Sequence, residues 1–401
     1  MPLVAMASAE AAVAATDRKR MNAARSEKAG AIIAAALALP GVITPGIARA
    51  ESAPERGEIA VKYLHYQDSQ PGLRRIKVEA PSIYVLVPLS PKWSVEGSLV
   101  NDSVSGATPR YHSAISGATK RMKDERNAQD VKVTRYEERS SYSLGFSHSQ
   151  EHDYESNALS LDATFSSEDN NRTWNVGTGF SDDKISSTNN PALHKTKQTV
   201  ELIAGVTQAV TANDLVQLNL SFNRGHGYYS DPYKEVDARP DHRAQKILLT
   251  RWNHHFTDLS ATLKTTYRYY RDNFGIKAHT LGADWVQPLG DRFTVTPSLR
   301  YYTQSAASFY FDPVYDPDVG APYPPGYFTN TPKYSSADQR LSAFGAITVG
   351  LKAAFKVTQN WTVDAKVEHY EQRAGWRIGR GSPGLDPFRA TFFQVGISTR
   401  F

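Results

Sequence analysis

Apolar and polar positions alternate one for one along most of this chain. At its end Phe393, Val395, Ile397, Thr399 and Phe401 share one face, while Gln394, Gly396, Ser398 and Arg400 share the other. Successive side chains of a strand point to opposite faces, so such a run predicts a strand with one apolar and one polar side. The same period recurs over residues 93–99, 216–222, 259–268, 293–301, 341–351 and 361–368. Helical periodicity is not sustained anywhere. Half-buried strands are the expected element throughout.

A soluble sandwich would alternate too, so the connections decide between architectures. Short ones are expected at 88–92, 166–171, 211–214, 257–258, 288–291 and 358–360, and long ones at 103–128, 182–195, 224–243, 312–335 and 374–388. The two classes largely take turns along the chain. Short periplasmic turns alternating with long external loops are the pattern of an outer-membrane barrel. A sandwich has no reason to sort its loops this way. Counting back from Phe401 with both termini periplasmic gives sixteen antiparallel strands, an even number as single-chain bacterial barrels have. The count requires a split of 131–150 at about Glu138–Ser140; without it the fallback is fourteen.

Tryptophan supports the same reading. Trp93, Trp174 and Trp361 follow short turns, and Trp252 and Trp285 precede them. Five of the six tryptophans thus gather at one rim, where an interfacial aromatic girdle belongs. The final strand, with Phe393, Val395, Ile397 and Phe401, is expected to be the assembly signal met by the barrel-insertion machinery.

The start of the chain points to export. Arg25 and Lys28 precede an apolar stretch over 29–39, and Ala48-Arg49-Ala50 has the form of a cleavage site. Residues 1–50 are expected to be an upstream extension plus a removed signal peptide, with Met21 as a possible start, leaving 51–401 as one barrel domain. The apolar stretch is shorter than the roughly 20 residues a spanning helix needs. Losing the six basic and three acidic residues of 1–50 leaves 40 Lys and Arg against 38 Asp and Glu. The pI near 9.0 is then no argument for nucleic acid. Cysteine is absent, which excludes disulfides, thiolate metal sites and a cysteine nucleophile. A mean hydropathy of −0.48 suits a wall that is apolar on one side only.

Residues 87–109 read VPLSPKWSVEGSLVNDSVSGATP, and residues 149–156 read SQEHDYES. With the aromatic closing strand, these motifs resemble the DUF3570 family of predicted outer-membrane β-barrels of unknown function, over about residues 56–401. The usual Ser-Gly-Ala-Ser-Pro reads Ser105-Gly106-Ala107-Thr108-Pro109 here and keeps the hydroxyl. The resemblance implies a fold and a Gram-negative outer-membrane location. It implies no activity and no catalytic residues.

Candidate chemistry is sparse. Asp102, Ser103, Ser105 and His112 hold the residue types of a hydrolase, but Asp-x-x-Ser-Gly is better explained as a turn. His148 and His152 are weak metal candidates. Four residues span about 13 Å along a strand, so only a turn at Glu151–Asp153 joins them, and a solvated hairpin tip is the plainer expectation. Residues 306–334 are rich in proline and tyrosine and suit either a binding or plugging loop or a stiff external one. Residues 110–126 are basic and suit anionic lipid or plain solvation. Glu96, Lys264, Arg268, Arg300, Asp364, Lys366 and Glu368 are expected to line the lumen, which in a sixteen-strand barrel is wide enough for water unless loops fill it.

These readings predict a porin-like passive channel or transport-associated barrel in contact with outer-membrane lipid, passing small solutes or ions. The alternative is a non-conducting scaffold plugged by its loops, and an outer-membrane enzyme ranks third. No cofactor is expected.

Overall fold

The computed structural model describes residues 53–106, 122–234, 237–312, 329–330 and 332–401. The expected signal peptide, His112 and most of the proline-rich loop lie outside these residues. The strands are β1 (Glu58–Gln70), β2 (Leu73–Ser90), β3 (Trp93–Gly106), β4 (Met122–Glu137), β5 (Ser140–Gln150), β6 (Tyr154–Ser166), β7 (Arg172–Ile185), β8 (Lys195–Ala209) and β9 (Asp214–Gly227). They continue as β10 (Asp237–Ala238), β11 (His242–Phe256), β12 (Ala261–Asp272), β13 (Lys277–Leu289), β14 (Phe293–Gln304), β15 (Ser335–Ser336), β16 (Phe344–Lys356), β17 (Trp361–Arg373) and β18 (Phe388–Arg400). The short β10 and β15 form a separate two-stranded sheet; the other sixteen form one closed antiparallel barrel. β4 and β5 meet in a turn at Glu138 and Arg139, the split that an even count requires.

Cross-strand partners lie on the same face, so the register sorts every side chain. Leu99, Leu144, Leu161, Leu202, Leu220, Leu281, Leu299 and Val349 stand on the outer wall and are exposed. An apolar belt of this extent cannot be left in water and marks the surface that meets lipid.

The seam joins the first strand to the last. Val61, Tyr63 and His65 pair with Ile397, Val395 and Phe393. Beyond the ladder, the Gly57 N–H donates to the Phe401 carbonyl at 2.9 Å, and the Phe401 N–H returns to the Gly57 carbonyl at 3.1 Å. A side chain at Gly57 has no room, since a Cβ there would lie 2.4 Å from the Phe401 ring.

Both ends of the chain of strands lie at one rim, and every connection at that rim is short. At the other rim the connections 186–194, 228–241, 305–343 and 374–387 are long. Three others there are tight: 71–72, with Gly72 at φ 71°, 151–153, and 273–276. Loop length therefore sorts by rim, with exceptions only at the long-loop end.

Two local expectations are corrected. Asp102 to Gly106 is not a turn, because β3 runs on to Gly106 against β4 and Asp102 points inward to meet Arg126. Leu341 and Ala343 do not extend the alternating run into β16. Asp338 accepts from the Arg340 N–H and caps a 3-10 turn over Gln339–Leu341, which swings Leu341 into a buried cluster.

Candidate functional site: the lumen and its mouth

The middle of the inner wall is a belt of charge. Glu96, Lys264, Arg268, Arg300, Asp364, Lys366 and Glu368 all stand on its inward register positions. The same parity adds Lys62, Asp130, Lys132, Asp162, Glu201, Arg251, Asp284 and Lys352, which the sequence reading passed over. They lie on strands whose inward residues the alternating runs did not assign, and cross-strand register supplies the assignment.

Some of these groups pair along the wall. Glu96 takes Lys132 and accepts from the Tyr84 hydroxyl at 2.7 Å. Lys366 meets Glu368 at 3.0 Å, and Lys352 meets Asp364 at 3.7 Å. Ser98 donates to Asp130. The signs are unevenly spread. From β3 to β8 the belt holds Glu96, Asp130, Asp162 and Glu201 against Lys132 alone. From β11 round to β1 it holds seven bases against Asp284, Asp364 and Glu368.

Nearer the long-loop end, four ion pairs tie neighbouring strands on the inner face. Arg126 donates to Asp102 at 2.7 Å, Lys197 meets Asp183 at 3.0 Å, Arg243 meets Asp272 at 2.7 Å, and Arg75 lies 3.7 Å from Asp68. Each acid among them is nearly or wholly buried. Buried charges need partners, and these pairs are unequally supplied: Asp68 also accepts from the Tyr66 hydroxyl at 2.8 Å and the Ile76 N–H at 3.0 Å, whereas Asp102 Oδ1 and the Nε and Nη1 of Arg75 make no hydrogen bond. Arg243 lies 4.6 Å from the Phe274 ring and Arg75 lies 5.1 Å from that of Phe388. Beside Asp68, the inner wall turns apolar: Leu64, Tyr66, Ile76, Val78, Ala80, Phe388 and Ala390 pack together.

The mouth itself is bridged by loop residues. β10 and β15 join the 228–241 loop to the 305–343 loop. Asp338 is fully buried between them and accepts from Lys234 at 2.8 Å, Arg239 at 2.7 Å and the Arg340 Nε at 2.9 Å. Asp231 accepts from Arg340 at 3.1 Å, and Asp237 from Arg239 at 3.0 Å. Three acids and three bases thus balance. Burial opposes the charge of Asp338, but Arg340, Lys234 and Arg239 outweigh it and hold the carboxyl well below the usual range. At Asp231 burial wins over Lys234 and Arg340, with repulsion from Asp237 and Asp338, and pushes the carboxyl up to about 6. Phe274, Ile276, Ala307 and Leu341 pack beside this network. Gln304, on the inner wall of β14, donates to the Arg340 and Ser342 carbonyls at 2.8 and 2.7 Å.

The remaining candidates are dispersed. Trp93, Trp174, Trp252, Trp285 and Trp361 stand on the outer wall toward the short-turn rim. Phe393, Val395 and Ile397 face outward on β18, and Phe401 is exposed at the seam. His148 stands on the outer face of β5 and bonds Asn157 at 2.8 Å, while His152 lies exposed in the 151–153 turn. Among the described residues, no group of three His, Asp or Glu is placed to hold a metal ion. Asp102 and Ser103 point to opposite faces of β3.

The family model described as "Protein of unknown function (DUF3570)" matches residues 29–121, 112–196 and 187–384. A comparison with curated protein sequences finds no match. Among solved structures, a bacterial polysaccharide outer membrane secretin is similar at 8% identity, with a TM-score of 0.49 over 86% of this chain and 98% of that one. The siderophore receptor PirA from Pseudomonas aeruginosa is similar at 8% identity, with 0.45 over 87% and 80%. A Pseudomonas aeruginosa FadL homologue is similar at 10% identity, with 0.42 over 86% and 90%.

Proposed function

The chain belongs to the DUF3570 family, and from that premise and the wall geometry we propose a transport-associated outer-membrane channel with a restricted external mouth. In this reading the short-turn rim is periplasmic and the long loops are external. One observation carries it: a belt of inward charges of both signs inside a wall whose outside is apolar. Charged side chains in such numbers are stable within a membrane where water reaches them or where each has a partner. The rows from Lys62 through Glu368 supply a polar lining for small hydrophilic solutes. A signal peptide in residues 1–50 and delivery by the barrel-insertion machinery belong to the same proposal.

The mouth network favours a second reading, a barrel closed by its own loops that holds an external partner. Planar-bilayer recording of the refolded full chain separates the two. Steady pores whose ion preference moves in Asp364→Ala and Lys366→Ala, with little loss of stability, support the channel. A folded barrel without pores, strongly destabilised by the same substitutions, rejects it in favour of the scaffold.

A further inference from the structure

The inner wall sorts its charges into two facing arcs. Asp162 on β6 and Glu201 on β8 flank β7, where the inward residues Gly177 and Gly179 leave no side chain between them. Asp162 pairs in register with Gly177, and Glu201 with Gly179. Inward neighbours on β5 to β9 such as Ser160, Thr199, Ile203, Ser221 and Asn223 carry no charge, and the cation nearest Asp162 on that side is Lys132 on β4. Ser160, in register with Gly179, is 2% exposed and its hydroxyl has no hydrogen-bond partner. Around the barrel, Lys264 and Arg268 on β12 and Arg300 on β14 flank Gly282, which pairs in register with Arg300.

β7 and β13 stand five strands apart in the ring of sixteen, so the two groups face each other obliquely, and opposite charges so placed in a low-dielectric tube set up a field between them. We propose, building on the channel reading, that this lumen orients small zwitterionic solutes. Their ammonium group turns to Asp162 and Glu201, and their carboxylate turns to Lys264, Arg268 and Arg300. An uncharged solute of the same size gains nothing from either arc. Simple anions and cations each find one attractive wall and one repulsive one, so overall ion selectivity stays slight.

The chain has no cysteine, so a single introduced thiol reports its local potential. Gly179 and Gly282 suit the purpose, since a Cβ at either meets nothing closer than 3.8 Å. In the folded full chain, Gly179→Cys and Gly282→Cys are treated with a cationic and an anionic methanethiosulfonate. Rates are normalised to a free thiol. The cationic reagent is expected to be favoured at Gly179→Cys and the anionic one at Gly282→Cys, each by about tenfold. Adding Asp162→Asn with Glu201→Gln should abolish the preference at Gly179→Cys and leave that at Gly282→Cys. Equal preferences at the two positions, or no modification at either, overturn the proposal.

Liposome swelling supplies the solute arm. A small zwitterion should enter faster than a polyol of equal size, and the Asp162→Asn, Glu201→Gln pair should remove the difference. Measurable entry of both solutes at equal rates in the unmodified protein also overturns the proposal. Reagent access from the short-turn end needs no open mouth. A barrel without pores that keeps the opposite preferences therefore rejects the channel reading alone and upholds the field.

Discussion

Arg239 donates to Asp338 across 2.7 Å, although 99 residues separate them in the chain. The bond fastens the loop after β9 to the loop after β14 and sits among two further cations on the same carboxylate.

Removing that carboxylate takes the shared partner from three largely buried cations and leaves them only Asp231 and Asp237. Asp338→Ala is expected to cost about 3–5 kcal/mol of loop stability, the range for breaking a buried pair from one side. The barrel itself should keep its heat-modifiable mobility on gels, because its ladders are untouched. Limited proteolysis should then cut within 228–241 or 332–343 in the variant and spare the parent. Unchanged protection would mean that the apolar packing around Phe274 holds the loops alone.

The network should also respond to pH, with two opposing signs. Asp231, pushed up to about 6, binds its proton more tightly in the folded loops than in an unfolded chain, where Asp titrates near about 4. Stability therefore falls as pH rises through that window, by at most about 3 kcal/mol. Asp338 is held below the usual range, so its contribution is complete above about pH 4 and is lost only at stronger acid. Hydrogen exchange of both loops, corrected for intrinsic rates, should show greater protection at pH 4.5 than at pH 7. Asp231→Asn should flatten that slope.

The orientation follows from the rims. Tags placed within 228–241 or at 329–330 should label on intact cells, while tags at 290–292 and 357–360 should label only after the outer membrane is opened. Surface labelling at 290–292 would invert the barrel.

Assembly should depend on the last strand. Val395 and Ile397 face outward beside Tyr63 and Val61, so Val395→Asp or Ile397→Asp places a charge against lipid at a cost below the about 2–4 kcal/mol of a lysine or arginine at the midplane. Both variants, and deletion of Phe401, should lower the amount of heat-modifiable barrel in the outer membrane. Normal assembly of all three would remove the terminal strand from the recognition step.

Most of the barrel is legible in the sequence because one rule governs it. Period-two alternation fixes which residues of β3, β12, β14 and β17 turn inward, and a turn at Glu138 and Arg139 fixes the parity. The mouth is not legible. Asp231, Lys234, Arg239 and Arg340 lie in loops with no period, and their pairings reach about a hundred residues along the chain, Lys234 and Arg239 to Asp338 and Arg340 to Asp231. The apolar inner patch is also hidden. At the upper ends of β1 and β2 the inward residues Leu64, Tyr66, Ile76 and Val78 reverse the usual sidedness, because there the interior is packed with protein. Asp102 misleads for a related reason: Asp, Ser and Gly read locally as a turn, while Arg126 on the next strand keeps the segment extended.

The seam has a consequence for how the molecule is made. Glu58 and Arg400 are 342 residues apart yet meet across it, so the first strand synthesised waits for the last before one of its edges finds a partner. Until then β1 exposes a long row of unsatisfied amides and carbonyls, a template for pairing with any neighbouring chain. Loop closure over such a separation is among the slowest steps a chain can face. The edge stays a hazard for pairing between chains until the ring closes. Loss of even the final strand should yield an aggregating half-open sheet rather than a narrower barrel.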